Sequence, residues 1–211
     1  MKSNDEPNKP DAANPAIASL FHVEHPGRVI RVVSRYSRMN WSQLKKQLNA
    51  LVCPEVRDRV GIHFTRYRES HDEDYGRGWI TLDGEQLLDA SDFRHFFAEC
   101  DQATIFEAQA EFPGTKPWSD LSGTVASGSV PHLLGTRGVY SRRGFFGLLY
   151  DYIHAPIEES LSSPYPLIRA LALLDRRVGR RTFERLSRPT DEHPLVQRFY
   201  ALRLSVFNRK G

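Results

Sequence analysis

Leu44, Leu48, Leu51 and Val52 recur at helical spacing in a stretch that is otherwise mostly polar. The period predicts an amphipathic helix over Gln43–Val52 with Ser42 as its N-cap. Pro54 disfavours helical geometry in the residue before it and ends the segment. The period then changes to two. Val60, Ile62 and Phe64 share one face, continued by Arg66 and Arg68, while His63, Thr65 and Tyr67 share the other. That is the pattern of a half-buried strand. The polar stretch from Glu69 to Gly76 reads as a hairpin loop, the returning strand runs from Arg77 to Leu82, and Asp83-Gly84 closes it as a turn.

Farther along, Phe93, Phe96, Phe97, Ile105 and Phe106 predict one amphipathic helix over Asp92–Glu111, with those five side chains in the core. Residues 113–138 mix glycine, serine, threonine and proline with few large apolar side chains, and read as an extended connection. After it the chain is helical. Ser141 precedes a segment from Arg142 to His154, Pro156 opens a short helix ending near Leu161, and Pro166 opens another over Leu167–Arg177. Gly179 interrupts that helix, Arg180–Leu186 continues it, and Pro194 starts a last one carrying Leu195, Phe199, Leu202 and Val206. At the other end, residues 1–15 hold three prolines and almost no large apolar side chain, so they cannot offset their ordering entropy. Arg28–Tyr36 has β-branched character without clean alternation, a marginal strand. No internal repeat is present. The predicted class is α+β: a small antiparallel hairpin or sheet, about residues 58–84, packed on helices, with a helical C-terminal half over 141–207. One domain over 39–207 is flanked by an extension over 1–38 and a tail over 208–211.

Composition narrows the class without choosing a function. In 211 residues, a hydrophobic share of 40% and a charged share of 26% are ordinary for a globular chain. Cys53 and Cys100 are the two cysteines, too few for a disulfide framework or a closed zinc site, and they read as reduced thiols. No secretion signal or membrane-length apolar run is visible, so the expected location is the cytoplasm, with no membrane partner.

The net charge is only +3, yet it is unevenly placed: from Pro166 onward eleven basic side chains face four acidic ones. Arginine forks suit phosphate or carboxylate, so Arg176 and Arg180, with their neighbours Arg177 and Arg181, are candidates for an anion or nucleic-acid surface. The plainer alternative is that these arginines border a helical core and pair with carboxylates. Val178 and Phe183 draw the segment inward, which favours that alternative for Arg177 and Arg181, with Asp175 pairing internally. The second candidate is the hairpin, where Arg66, Tyr67, Arg68, Arg77 and Trp79 interleave aromatic and cationic groups near His63 and Thr65. Such groups stack bases, clamp phosphates or anchor protein interfaces, or simply pack across strands.

His71-Asp72-Glu73-Asp74 lacks the glycine and bidentate glutamate of a calcium loop and reads as a solvated acidic loop, so no metal is expected. Ser127-Gly128-Ser129 has no nucleophile-elbow frame, and Cys53 sits beside a proline. His63, His95 and His193 are possible bases that sequence cannot set beside a nucleophile. No phosphate-binding loop or dinucleotide fingerprint occurs, so no cofactor is expected.

Four segments carry a resemblance: Trp41-Ser42-Gln43-Leu44-Lys45-Lys46, Thr65-Arg66-Tyr67-Arg68, Gly76 through Gly84, and Ile168 through Arg181. In this order they resemble a family of small bacterial proteins carried under a placeholder name. The resemblance covers Met39 to about Val206. It implies that residues 1–38 are an extension or a mis-assigned start, since members start at the methionine before the Trp-Ser pair, and it implies no particular activity. The expected function is a non-enzymatic interaction protein of the bacterial cytoplasm, an accessory, antitoxin or immunity-type factor whose partner is another protein. Nucleic-acid binding through the basic C-terminal helices is the alternative, and a hydrolase centred on His63 is third.

Overall fold

A computed structural model of the chain describes residues 39–68, 74–114 and 128–209, with residues 66–68, 74 and 75 described by backbone alone. The extension over 1–38, the marginal strand Arg28–Tyr36, the loop residues His71-Asp72-Glu73, residues 115–127 of the expected connection, and Lys210 lie outside the described residues.

Helix α1 spans Trp41–Leu51 and is capped by Asn40, two residues earlier than the expected cap Ser42. Asn40 Oδ1 accepts from Gln43 N–H at 2.9 Å, while Gln43 Oε1 accepts from Asn40 N–H at 3.4 Å. This reciprocal capping satisfies two amides that serine at position 42 would leave open. A 3-10 turn over Pro54–Arg59 leads into the sheet.

Strands β1 (Val60–Arg68), β2 (Asp74–Leu82) and β3 (Glu85–Ser91) form an antiparallel sheet in that order. The first two are the expected hairpin; β3 extends it to a meander. Between β2 and β3, Asp83 (φ 52) and Gly84 (φ 85) make a two-residue turn in left-handed geometry, which glycine adopts without strain. The Arg59 guanidinium clamps the Asp83 carboxylate through bonds of 2.8 and 2.6 Å.

The region expected as one helix over Asp92–Glu111 is two, α2 (Asp92–Glu99) and α3 (Gln102–Glu111). Asp101 divides them by capping the second, accepting from Thr104 N–H at 2.9 Å and from its hydroxyl at 2.8 Å. Within the expected connection lies α4 (Ser129–Thr136), largely buried. Then follow α5 (Arg142–His154), α6 (Ile157–Leu161), α7 (Pro166–Leu174), α8 (Arg180–Glu184) and α9 (Pro194–Arg209).

The main core lies between the inner sheet face (Ile62, Ile80, Leu82, Leu88, Ala90) and helices α1, α5, α7 and α9. Helix α5 lies close on β2 because β2 is bare there: a Cβ on Gly78 would sit 2.3 Å from Phe145 Cδ1. Asp92 fixes the join, accepting from Gly76 N–H at 3.0 Å and Arg142 N–H at 2.8 Å. Helix α7 is the centre of the fold, with Arg169 its one residue not fully buried. It ends at Leu174 rather than Arg177, because Asp175 turns extended and bridges to Val52. Cys53 N–H donates to Leu174 O and Arg176 N–H to Leu51 O, each at 2.8 Å. A smaller core joins Ala108 of α3 to Val130, Leu133 and Leu134 of α4. Among the described residues, no helix is long and apolar enough to cross a membrane.

Candidate functional site

The outer sheet face carries the first candidate surface. The register pairs His63 with Trp79 and Trp79 with Asp89, so all three share the side opposite the core. The His63 and Trp79 rings stack at 4.8 Å and 9°. The Arg77 guanidinium lies 5.2 Å from the Trp79 ring centroid, within cation–π range. His63 Nε2 is 3.1 Å from Thr81 Oγ1. Burial, and secondarily the charge of Lys45, hold the His63 pKa below its ordinary value. Arg77 is further fixed by Asp89 Oδ1 at 2.7 Å and by Gln86. Arg66, Tyr67 and Arg68 pair with Gly76, Tyr75 and Asp74 in the backbone register, and their side chains lie outside the described residues.

Asp89 also reaches Arg94 of α2, at 3.9 Å, and so links the sheet face to a second surface. Phe93, Phe96, Phe97 and Phe106 were expected in the core. They are instead 59%, 59%, 70% and 62% exposed. The inward side of α2 and α3 instead presents Ala98, Ile105, Ala108 and Phe112 to α4. Small residues permit that close approach, and Asp92 sets the rotation of α2 through its bonds to Gly76 and Arg142. Helix α2 is thereby inverted: the His95 and Glu99 side chains, 3.3 Å apart, keep only 13% and 27% of their surface, while the phenylalanines face out. Hydrophobic periodicity identifies this stripe but reports nothing about which side meets the core.

The arginine-rich end divides into separate environments. Arg177 is bound to Asp175, which is fully buried: its Nε lies 3.1 and 3.0 Å from the two carboxylate oxygens and its Nη2 2.7 Å from one of them. The Tyr152 hydroxyl donates to the same carboxylate at 2.6 Å, and Arg177 N–H at 2.8 Å. Burial, then the charge of Asp175, raises the Tyr152 pKa, while hydrogen bonding to Asp175 raises that of Arg177. Arg203 is buried and donates to Val178 O at 2.9 Å. Arg169 and Arg198 reach Glu192 and Glu85. Arg180 pairs with Glu184 at 2.7 Å, both well exposed. Arg176 and Arg181 are exposed and have no ion pair with a described residue, so Arg181 does not hold helices together as expected.

For bond-making chemistry the geometry offers less. His95 faces Glu99, and His193 Nδ1 accepts from Leu195 N–H at 3.1 Å. Burial raises the Cys53 thiol pKa, which disfavours the reactive thiolate. A shallow, mostly apolar pocket between α5, α6 and α7 has Tyr152, Tyr165 and Ile168 in its wall. Among the described residues, no group of three or more His, Cys, Asp or Glu could hold a metal ion.

No curated protein and no solved structure matches the chain. A family model does, over residues 40–204, from the capping Asn40 into α9, and it takes in the sheet face and the phenylalanine surface alike. The chain belongs to the SF0329 protein family.

Proposed function

We propose that this protein is a non-enzymatic interaction module of the bacterial cytoplasm, an accessory, antitoxin or immunity-type factor that binds another protein through the α2–α3 phenylalanine surface and the adjoining sheet face. The inverted helix α2 carries this reading. Phe96 and Phe97, in edge contact at 5.9 Å, and Phe106 expose 59%, 70% and 62% of roughly 200 Å² each, about 400 Å² of apolar side chain on these two helices. So much exposed aromatic surface on two short helices is the kind of surface that marks a protein contact. Trp79 and Arg77, held by His63 and Asp89, extend the surface with residue types enriched at interface anchors. A photoreactive phenylalanine analogue at position 97, in cells that carry the protein natively, should give a discrete adduct with one protein that disappears in Phe96→Ser. Equal labelling from position 97 and from exposed Asn208 on α9 would refute a specific contact.

A second reading, nucleic-acid binding at the C-terminal end, draws on exposed Arg176 and Arg181. In that case the slope of log K against log salt for a generic duplex should shrink by about one for each of these arginines changed to glutamine. A slope unmoved by both substitutions removes it.

A further inference from the structure

We propose that His193 is an acid-released latch: protonation of its ring loosens the first turn of α9 and the loop over residues 187–193 that this turn holds. At the start of α9 every early amide falls to one residue. Pro194 has no N–H to place, and Leu195 N–H donates to His193 Nδ1 at 3.1 Å. Val196 and Gln197 N–H both donate to His193 O, at 2.9 and 3.2 Å. Leu195 is fully buried, so water cannot take over its bond when the ring lets go. The Gln197 side chain in turn donates to Thr190 O at 2.9 Å and to Glu192 O at 2.8 Å, which ties the loop to the turn.

A helix more often takes Asn, Asp, Ser or Thr in this position, and their oxygens accept throughout the neutral range. An imidazole accepts at Nδ1 only while it is neutral with its proton on Nε2. A second proton turns Nδ1 into a donor facing the Leu195 donor. It also sets a positive charge at the positive end of the helix dipole. The surroundings oppose that charge. The ring is half-buried and lies against Gly138, where a Cβ would stand 2.6 Å from Nε2. Burial, then the charge of Arg169 on α7, holds its pKa below the ordinary histidine value. Glu192, next to it in the chain, is taken by Arg169 at 2.7 Å, and Arg137, beside Gly138, contacts Glu107. Asp191 is exposed and accepts from Thr190 Oγ1 at 3.3 Å, and Arg198 contacts Glu85. The closed turn therefore keeps its full stability above about pH 6.5 and loses it as pH falls toward the folded pKa. Phe199 and Leu202 anchor the rest of α9 in the core, so the loosening stays at its start.

The test is amide hydrogen exchange of the full chain by NMR at about pH 7.5 and about pH 5, corrected for the intrinsic pH dependence of exchange. Protection of Leu195 should fall severalfold at the lower pH, up to a limit of about thirtyfold set by an opened-state pKa near 6.5. Protection of Leu171, buried in α7, should hold. His193→Asn keeps an acceptor and drops the titration, so its Leu195 protection should agree within about twofold at the two pH values. Ring nitrogen shifts of the wild type should show Nδ1 without a proton at the higher pH. The ring shifts and the comparison of Leu195 with Leu171 need no variant, so they decide even where His193→Asn fails to fold. A ring protonated on Nδ1 at the higher pH overturns the proposal, as does wild-type Leu195 protection that does not change. An equal loss in His193→Asn, or a parallel loss at Leu171, assigns the effect to a general acid loosening and overturns it too.

Discussion

Replacing Arg177 by glutamine tests the ionic centre that joins α5 to the end of α7. The Asp175 carboxylate is fully buried and receives its charged bonds from Arg177 alone among the described residues, with Tyr152 and one backbone amide as neutral donors. Removing one partner of a buried ion pair costs about 3–5 kcal/mol, because the other charge is left without compensation. Two features lower that figure here. Arg177 keeps 33% of its side chain in water, which screens the pair, and the two neutral donors remain. A loss of about 2 kcal/mol is expected, read as a fall in the urea midpoint at constant slope. Arg181→Gln, four residues on and exposed, should stay within about 0.5 kcal/mol. A cycle combining Arg177→Gln with Asp175→Asn should return a coupling of about 1–2 kcal/mol. A wild-type midpoint in Arg177→Gln would refute the reasoning, since it would mean that the buried carboxylate does not need its guanidinium.

Three further outcomes follow from the geometry. Gly78→Ala sets a Cβ 2.3 Å from Phe145 Cδ1 and should cost about 1–3 kcal/mol as α5 is pushed off the sheet; an unchanged melting temperature contradicts that close approach. His63 titrates near 6.5 when unfolded and lower when folded, so below pH 6.5 the unfolded chain takes up its proton first and stability declines until the folded pKa is passed. Trp79 emission should change with a midpoint below pH 6.5 and lose that step in His63→Gln; a midpoint at or above 6.5 contradicts the burial of the ring. Chelator should leave the unfolding curve in place, because no metal-competent cluster occurs among the described residues, and a shifted curve would reveal a structural ion.

Where one face of an element meets the core with large side chains, periodicity was enough. It located β1 through Ile62, β2 through Ile80 and Leu82, and the last helix through Phe199 and Leu202, each turned as expected. Strand β3 escaped because only Leu88 and Ala90 reach the core, and the register shifts between Ile80 and Thr81, which blurs the alternation. Helix α4 escaped because Ser-Val-Pro-His-Leu-Leu-Gly-Thr is poor in helix formers; burial of Val130, Leu133 and Leu134 stabilises it, and that is a tertiary effect. The cation–aromatic pair on the sheet was legible in kind, as Arg77 and Trp79 on one strand. Its partner Asp89 was hidden with β3. The phenylalanines were visible as a stripe, and their orientation was not, because Asp92 sets it through groups close to it only in the fold.

The backbone bonds from Cys53 to Leu174 and from Arg176 to Leu51 reach across 121 and 125 positions of the chain. On a ribosome adding about 5–20 residues each second, the end of α1 and the whole sheet leave the exit site roughly ten seconds before α7. For that interval Ile62, Ile80 and Leu88 have no central helix to cover them, and both sheet edges are open. Contacts this distant also close slowly once the chain is complete. The nascent sheet is consequently the stage of this protein's life most exposed to aggregation, and the one at which a chaperone would have the most surface to hold.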